Sequence, residues 1–242
     1  PFLSDALRFS LVDSLNRFGI KTISHRPSRP LGDEPVTHAM LTMAKLVHPS
    51  WGFVPTSYDI SYMLMQSIDG LDLVRAQLLA EKVYQPNKTE FSLFSFDEIL
   101  PDVQSRITFK IGEKYQYLRN KLITYMENPL PSLDILLSHL FGEVVSVKGY
   151  GFHNNPEAGI IIANLIDSIK NFRSISEQVS NIDETTLGKD YINTLEDGVI
   201  AAQYIRSWNQ QDEESVLLLP ATTYLMRNQP VEYQFWLDVG SS

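Results

Sequence analysis

The sequence predicts a mostly helical α/β chain in which a small parallel sheet is interrupted by a large all-α insertion. Three observations carry that expectation. Val216–Leu219 and Phe235–Val239 are apolar on nearly every residue, which suits strands covered on both faces of a sheet. Ile20–Ser24 reads as a third short strand near the other end of the chain. Everything between repeats its apolar residues at helical spacing, and strands at both ends of a helical block point to one sheet with an insertion.

Taken in order, Ser4 and Asp5 offer capping side chains, Leu7, Leu11, Leu15 and Phe18 follow on one helical stripe, and Gly19 supplies the stop. After the Ile20–Ser24 strand, His25-Arg26-Pro27-Ser28-Arg29-Pro30 cannot extend a ladder, because proline lacks the amide donor. Asp33-Glu34-Pro35 opens a second helix carrying Val36, Met40, Met43, Ala44 and Val47 as far as His48-Pro49. Thr56 with Asp59 three residues on forms a capping-box pattern, and a further helix carries Leu71, Val74, Leu78 and Val83 before Pro86.

From Ser95 the spacing predicts a weak helix over Phe96–Phe109. A strong one follows through Ile111, Tyr115, Leu118, Leu122 and Tyr125, then one through Leu133, Leu136, Leu137, Leu140 and Phe141. Val144–Val147 has the content of a short strand, and Gly149–Asn155 reads as a loop ending in an asparagine cap before Pro156. Two long helices follow, Glu157–Gln178 and Thr186–Trp208, before the hydrophilic break Asn209–Glu214 and the terminal strands. The expected division is a discontinuous α/β domain over residues 1–84 and 209–242, with a helical subdomain over 85–208.

Composition narrows the function classes. With 242 residues and 43% apolar content the chain can bury a core. It has no apolar run of about 18 residues and no basic-then-apolar leader, so neither a membrane span nor a signal peptide is expected. Zero cysteines excludes disulfides and thiolate metal sites and fits a reducing, cytoplasmic compartment. A net charge of −9 argues against a chain-wide nucleic-acid footprint, so any such contact has to be a local patch. Opening on Pro1-Phe2 and closing on Ser241-Ser242, directly after an expected core strand, the sequence reads as part of a longer protein.

The order of elements resembles the second RecA-like lobe of UvrD-like DNA helicases and their helicase–nuclease relatives. In that family a helix ending L-x-x-x-G-I-P leads to a strand, a loop and an acid-led helix. The matching residues are Leu15, Gly19 and Ile20, then Ile23, the loop to Leu31, and Glu34-Pro35-Val36 through His48-Pro49. The family then inserts a helical subdomain and returns with a strand, a T-x-H-x-A-K-G-L-E-like motif and another strand, here Ser215–Thr222 and Pro230–Gly240. The chain departs from that motif, with Tyr224, Arg227 and Asn228-Gln229-Pro230 where the family has His, Lys and Gly-Leu-Glu. No G-x-x-x-x-G-K-[ST] phosphate loop is present; in the family it lies in the other lobe.

The resemblance implies a P-loop NTPase-type lobe that binds DNA in recombination or repair together with the remaining lobe of its parent chain. It implies no catalytic residue and no cofactor in this stretch, with ATP and Mg held by the parent. Arg26 and Arg29 are the nucleic-acid candidates in the most basic loop, with Lys21 and His25 beside them, because guanidinium forks suit phosphate oxygens. The alternative for these arginines is pairing with Asp33 and Glu34. Thr222 and Thr223 follow a strand, where hydroxyls can meet a phosphate or simply satisfy turn amides.

No zinc site is expected, since His38, His48, His139 and His153 lack partners at ligand spacing. Phe91, Phe94, Phe96, Phe109, Tyr115 and Tyr117 suit either base stacking or a helical core. Two readings stand beside the helicase one: a non-enzymatic α-helical interaction module, and a metal nuclease built on Asp238.

Overall fold

The computed structural model describes residues 5–24, 31–86, 91–179, 184–197, 215–219, 224 and 231–237. The chain divides into two compact units, Pro1–Arg29 with Ala202–Ser242, and Pro30–Ala201.

In the first unit, helix α1 (Asp5–Arg17) ends where Gly19 takes φ 73°, and the Ile20 amide turns back to the Leu15 carbonyl at 3.0 Å. Only glycine adopts that left-handed conformation without cost. Strand β1 (Thr22–Ser24) then pairs in parallel with β2 (Val216–Leu218), Thr22 opposite Val216 and Ser24 opposite Leu218.

The expectation of an α/β chain with a RecA-like, P-loop NTPase-type parallel sheet is corrected by this architecture. The described residues are mostly helical, and their strands amount to one pair of three residues each. Phe235–Val239, expected as a buried strand, is irregular over its described part, with Phe235 87% and Trp236 54% exposed. A run of consecutive apolar residues carries no periodicity of its own, so its reading as a core strand depends on neighbouring strands, and none pairs with it among the described residues. Phe18, expected on the packed stripe of α1, is likewise exposed.

The regular elements of the second unit are all helical among its described residues, beside the isolated bridges Ile68–Tyr150 and Tyr84–Leu93. Its centre is α2 (Pro35–Val47), which buries ten of its residues and packs against α3 (Ser57–Ser67) as well as α6 (Phe109–Glu127), α7 (Leu133–Leu140) and α8 (Pro156–Val179). A helix apolar on all sides belongs inside a bundle. Pro35 starts it at a position where the missing amide costs nothing. At α3 the Thr56 hydroxyl accepts from the Asp59 amide at 3.1 Å while the Asp59 carboxylate accepts from the Thr56 amide at 2.8 Å, the reciprocal cap the sequence predicts. Helix α4 (Leu73–Val83) is capped by Asp72 and packs on α3.

The weak helical pattern over Phe96–Phe109 resolves into a 3-10 turn at Phe96–Glu98 and the short α5 (Pro101–Ile107). Thr108 then takes φ 83°, a conformation strained for a β-branched residue, and α6 begins at Phe109. The core face of α6 is Ile111, Tyr115, Leu118, Leu122 and Tyr125, and the fully buried Tyr115 donates its hydroxyl to the Phe94 carbonyl at 2.6 Å. Val144 and Val145 are not a strand; they are buried within a π-helical turn, Phe141–Val145, that continues α7. Helix α9 (Glu184–Glu196) approaches so closely at Gly188 that a Cβ there would lie 2.8 Å from the Trp51 ring.

Candidate functional site

The best-defined polar cluster in the second unit grows from that π-helical turn. The extra residue in the turn sends Val144 and Val145 into the core while leaving Glu143 at the surface. Such turns recur at functional positions because they re-aim one side chain without breaking the helix. Across from it, α6 presents Tyr117, Lys121 and Tyr125 at four-residue spacing, one above the other on a single face. His139 lies one helical turn before Glu143 and completes the set.

Glu143 is the hub. Its Oε2 accepts from Lys121 Nζ and from the Tyr125 hydroxyl, both at 2.9 Å, while Oε1 lies 2.8 Å from His139 Nδ1. Its backbone carbonyl accepts from the Tyr117 hydroxyl at 3.2 Å. Hydrogen bonds from Lys121, His139 and Tyr125 hold the Glu143 carboxyl down at about 2. Burial first, then its bond to Glu143, pushes the Tyr125 hydroxyl up to about 12, and the same carboxylate raises Lys121. A carboxylate so saturated stays ionised at neutral pH and is a poor general base, while the tyrosine and lysine keep their protons. The arrangement ties α6 to the turn after α7 and leaves the carboxylate little capacity for proton transfer.

Because Glu143 sits near 2 in the folded chain against an ordinary 4.5, its contribution to stability is complete above the latter value and drains away as pH falls toward 2. Glu143→Gln therefore flattens the stability profile between these pH values, read from urea midpoints in a pH series. An acid limb identical to that of the parent chain would remove Glu143 from the account.

Beside the cluster lies an open cleft of about 520 Å³, lined by Phe141, Ser146, Phe152, Asn154, Asn155, Pro156 and Gly159. Its polar groups are largely committed to the fold. Asn155 Oδ1 accepts from the Ala158 amide at 3.0 Å, which caps α8 as the sequence predicts, and His153 Nδ1 lies 2.9 Å from the Ser146 carbonyl. Among the described residues that line it, none carries an acidic or basic side chain.

The described histidines do not converge. His38 Nε2 lies 3.3 Å from Asp59 and its ring meets Tyr62 edge-on, whereas His48 stacks on Trp51 at 4.0 Å and burial lowers its pKa. Among the described residues no group of three or more histidine or acidic side chains is placed to hold a metal ion. Also among them, no helix is long and apolar enough to cross a membrane.

The nucleic-acid candidates Arg26, Arg29, Thr222 and Thr223, together with His25 and Asp238, lie outside the described residues. Lys21 is exposed beside β1. Sequence reasoning treated Tyr125 as helical core and missed Lys121 and Glu143 altogether. The available signal was the spacing, four residues between Lys121 and Tyr125 and four between His139 and Glu143. What joins the two pairs is the packing of α6 against the turn after α7, which no spacing announces. Comparison with protein-family models, with curated proteins and with solved structures yields no match.

Proposed function

We propose that this chain is a non-catalytic, DNA-binding part of a helicase-like protein of recombination or repair, working with the rest of its parent chain. The supporting observation is the parallel pairing of β1 with β2, in which Thr22–Ser24 lies beside Val216–Leu218 although the whole helical unit separates them in sequence. A parallel pair needs a crossover connection, and here that connection contains the helical unit, although one pair of three-residue strands is not a RecA-like sheet. DNA contact falls to Arg26 and Arg29, with Thr222 and Thr223 as hydroxyl donors to phosphate. ATP and Mg act in the parent protein and not here. The absence of cysteine supports a cytoplasmic location.

The test is fluorescence anisotropy of a labelled single-stranded oligonucleotide with the whole chain across a salt series. Arg26→Ala combined with Arg29→Ala removes two phosphate contacts, so the slope of log affinity against log salt falls by about 1.4. Absence of binding at low salt, or an unchanged slope, sinks the assignment.

A second reading, a helical protein-interaction module without DNA, draws support from the second unit, which has its own core around α2 and exposes Tyr58, Leu100 and Phe109. Under it the oligonucleotide does not bind at all.

A further inference from the structure

We infer that the surface of α6 beside the Glu143 cluster is a second single-stranded nucleic-acid contact, with Tyr117 as the stacking platform for one base and Lys110, Lys114 and Lys148 as its phosphate contacts. The inference rests on the DNA-binding reading above and joins Tyr117, one of the aromatic residues the sequence offers for base stacking, to lysines the sequence did not single out. Lys110, Lys114, Tyr117 and Lys121 follow one another at intervals of four, three and four residues, which places them in a single stripe of α6. The core residues Ile111, Tyr115, Leu118, Leu122 and Tyr125 lie on the adjoining face, and Tyr117 stands outside it, half-exposed and in contact with Tyr150.

Tyr117 is 42% exposed and its ring is held from two directions. Its hydroxyl is anchored on the Glu143 carbonyl, the Tyr150 ring lies 5.8 Å away, and Lys121 Nζ stands 5.9 Å from its centroid. A ring fixed this way presents a π face at little entropic cost to a base that stacks on it.

The other cations lie along the same stripe and on the neighbouring loop. Lys114 Nζ donates to the Asp69 carbonyl at 2.8 Å, which fixes its side chain across the loop. A Cβ on Gly149 would lie 3.5 Å from Lys114 Cε, so this ammonium sits beside the loop that carries the exposed Lys148. Glycine is needed there for its φ of 96°. The carboxylates nearby are Glu143, Glu113 and Asp69; Glu143 engages Lys121, while Lys110, Lys114 and Lys148 form no ion pair among the described residues. In a chain of net charge −9, three such ammonium groups on the stripe and loop beside an exposed, anchored tyrosine form the local patch that a nucleic acid would require.

The experiment uses the whole chain, a labelled oligo-dT of about 15 nucleotides and an abasic strand of equal length. Tyr117→Ala weakens oligo-dT binding about tenfold and leaves abasic binding alone, while Tyr117→Phe, which keeps the ring, retains the affinity. Lys110→Ala with Lys148→Ala reduces the salt slope by about 1.4. All these positions are exposed, and unchanged thermal midpoints separate binding losses from unfolding. Full affinity in Tyr117→Ala overturns the inference while leaving the Arg26 and Arg29 reading intact. Equal competition by poly-glutamate and oligo-dT overturns it in favour of an acidic peptide. No oligonucleotide binding in any form overturns both.

Discussion

Replacing Gly151 by alanine lowers the unfolding free energy of the helical unit by about 3 kcal/mol. The new Cβ would lie 1.9 Å from the Gln66 carbonyl oxygen and 3.0 Å from its carbon, and both atoms are backbone. No rotamer relieves that overlap, so either the end of α3 or the loop must move. The end of α3 is held by packing on α2 and α4. The loop is held by the Gly151 amide, which donates to the Ser67 carbonyl at 2.9 Å, by the Ile68–Tyr150 bridge, and by the Tyr150 hydroxyl on the Lys114 carbonyl at 3.0 Å. Displacing the loop gives up hydrogen bonds worth roughly 1 kcal/mol each in addition to the packing. Gly142→Ala is the control, since nothing lies within 4 Å of its Cβ position and alanine is the better helix residue. A urea midpoint for Gly151→Ala equal to that of the control would show that the loop does not dock on α3 in this way.

Asp134→Ala costs about 3 kcal/mol as well, for an electrostatic reason. Asp134 is 5% exposed at the start of α7 and forms an ion pair with Arg173 of α8. Burial alone would raise the Asp134 pKa, but hydrogen bonds from Ser132 and Arg173, with the Arg173 charge, bring it below the usual carboxylate value. Truncation removes the carboxylate and leaves the guanidinium desolvated without that partner, which is the expensive way to break a buried pair. Replacing both residues at once, Asp134→Leu with Arg173→Met, recovers most of the loss, because an apolar pair of similar size avoids the desolvation penalty. A urea series on the two variants decides the matter. If Asp134→Ala stays within about 0.5 kcal/mol of the parent chain, the pair is a surface contact in energetic terms.

What the sequence determined by itself was local. The capping box of Thr56 and Asp59, the Pro35 start of α2, the Asn155 cap before Pro156 and the core stripe of α6 depend on residues three or four apart, so their chemistry is complete within one turn. The candidate DNA residues Arg26, Arg29, Thr222 and Thr223 were named from local chemistry too, and they lie outside the described residues. Tertiary structure decided everything that required a partner distant in sequence. Val144–Val147 and Phe235–Val239 looked alike as apolar runs, yet Val144 and Val145 are buried in a π-helical turn and Phe235 stands exposed, because burial depends on what packs against a run and not on its composition. Glu143 became a hub for the same reason. Four groups from α6 and α7 reach it only because those helices meet at the turn that carries it, and the energy of that meeting is spread over contacts no short window of sequence contains.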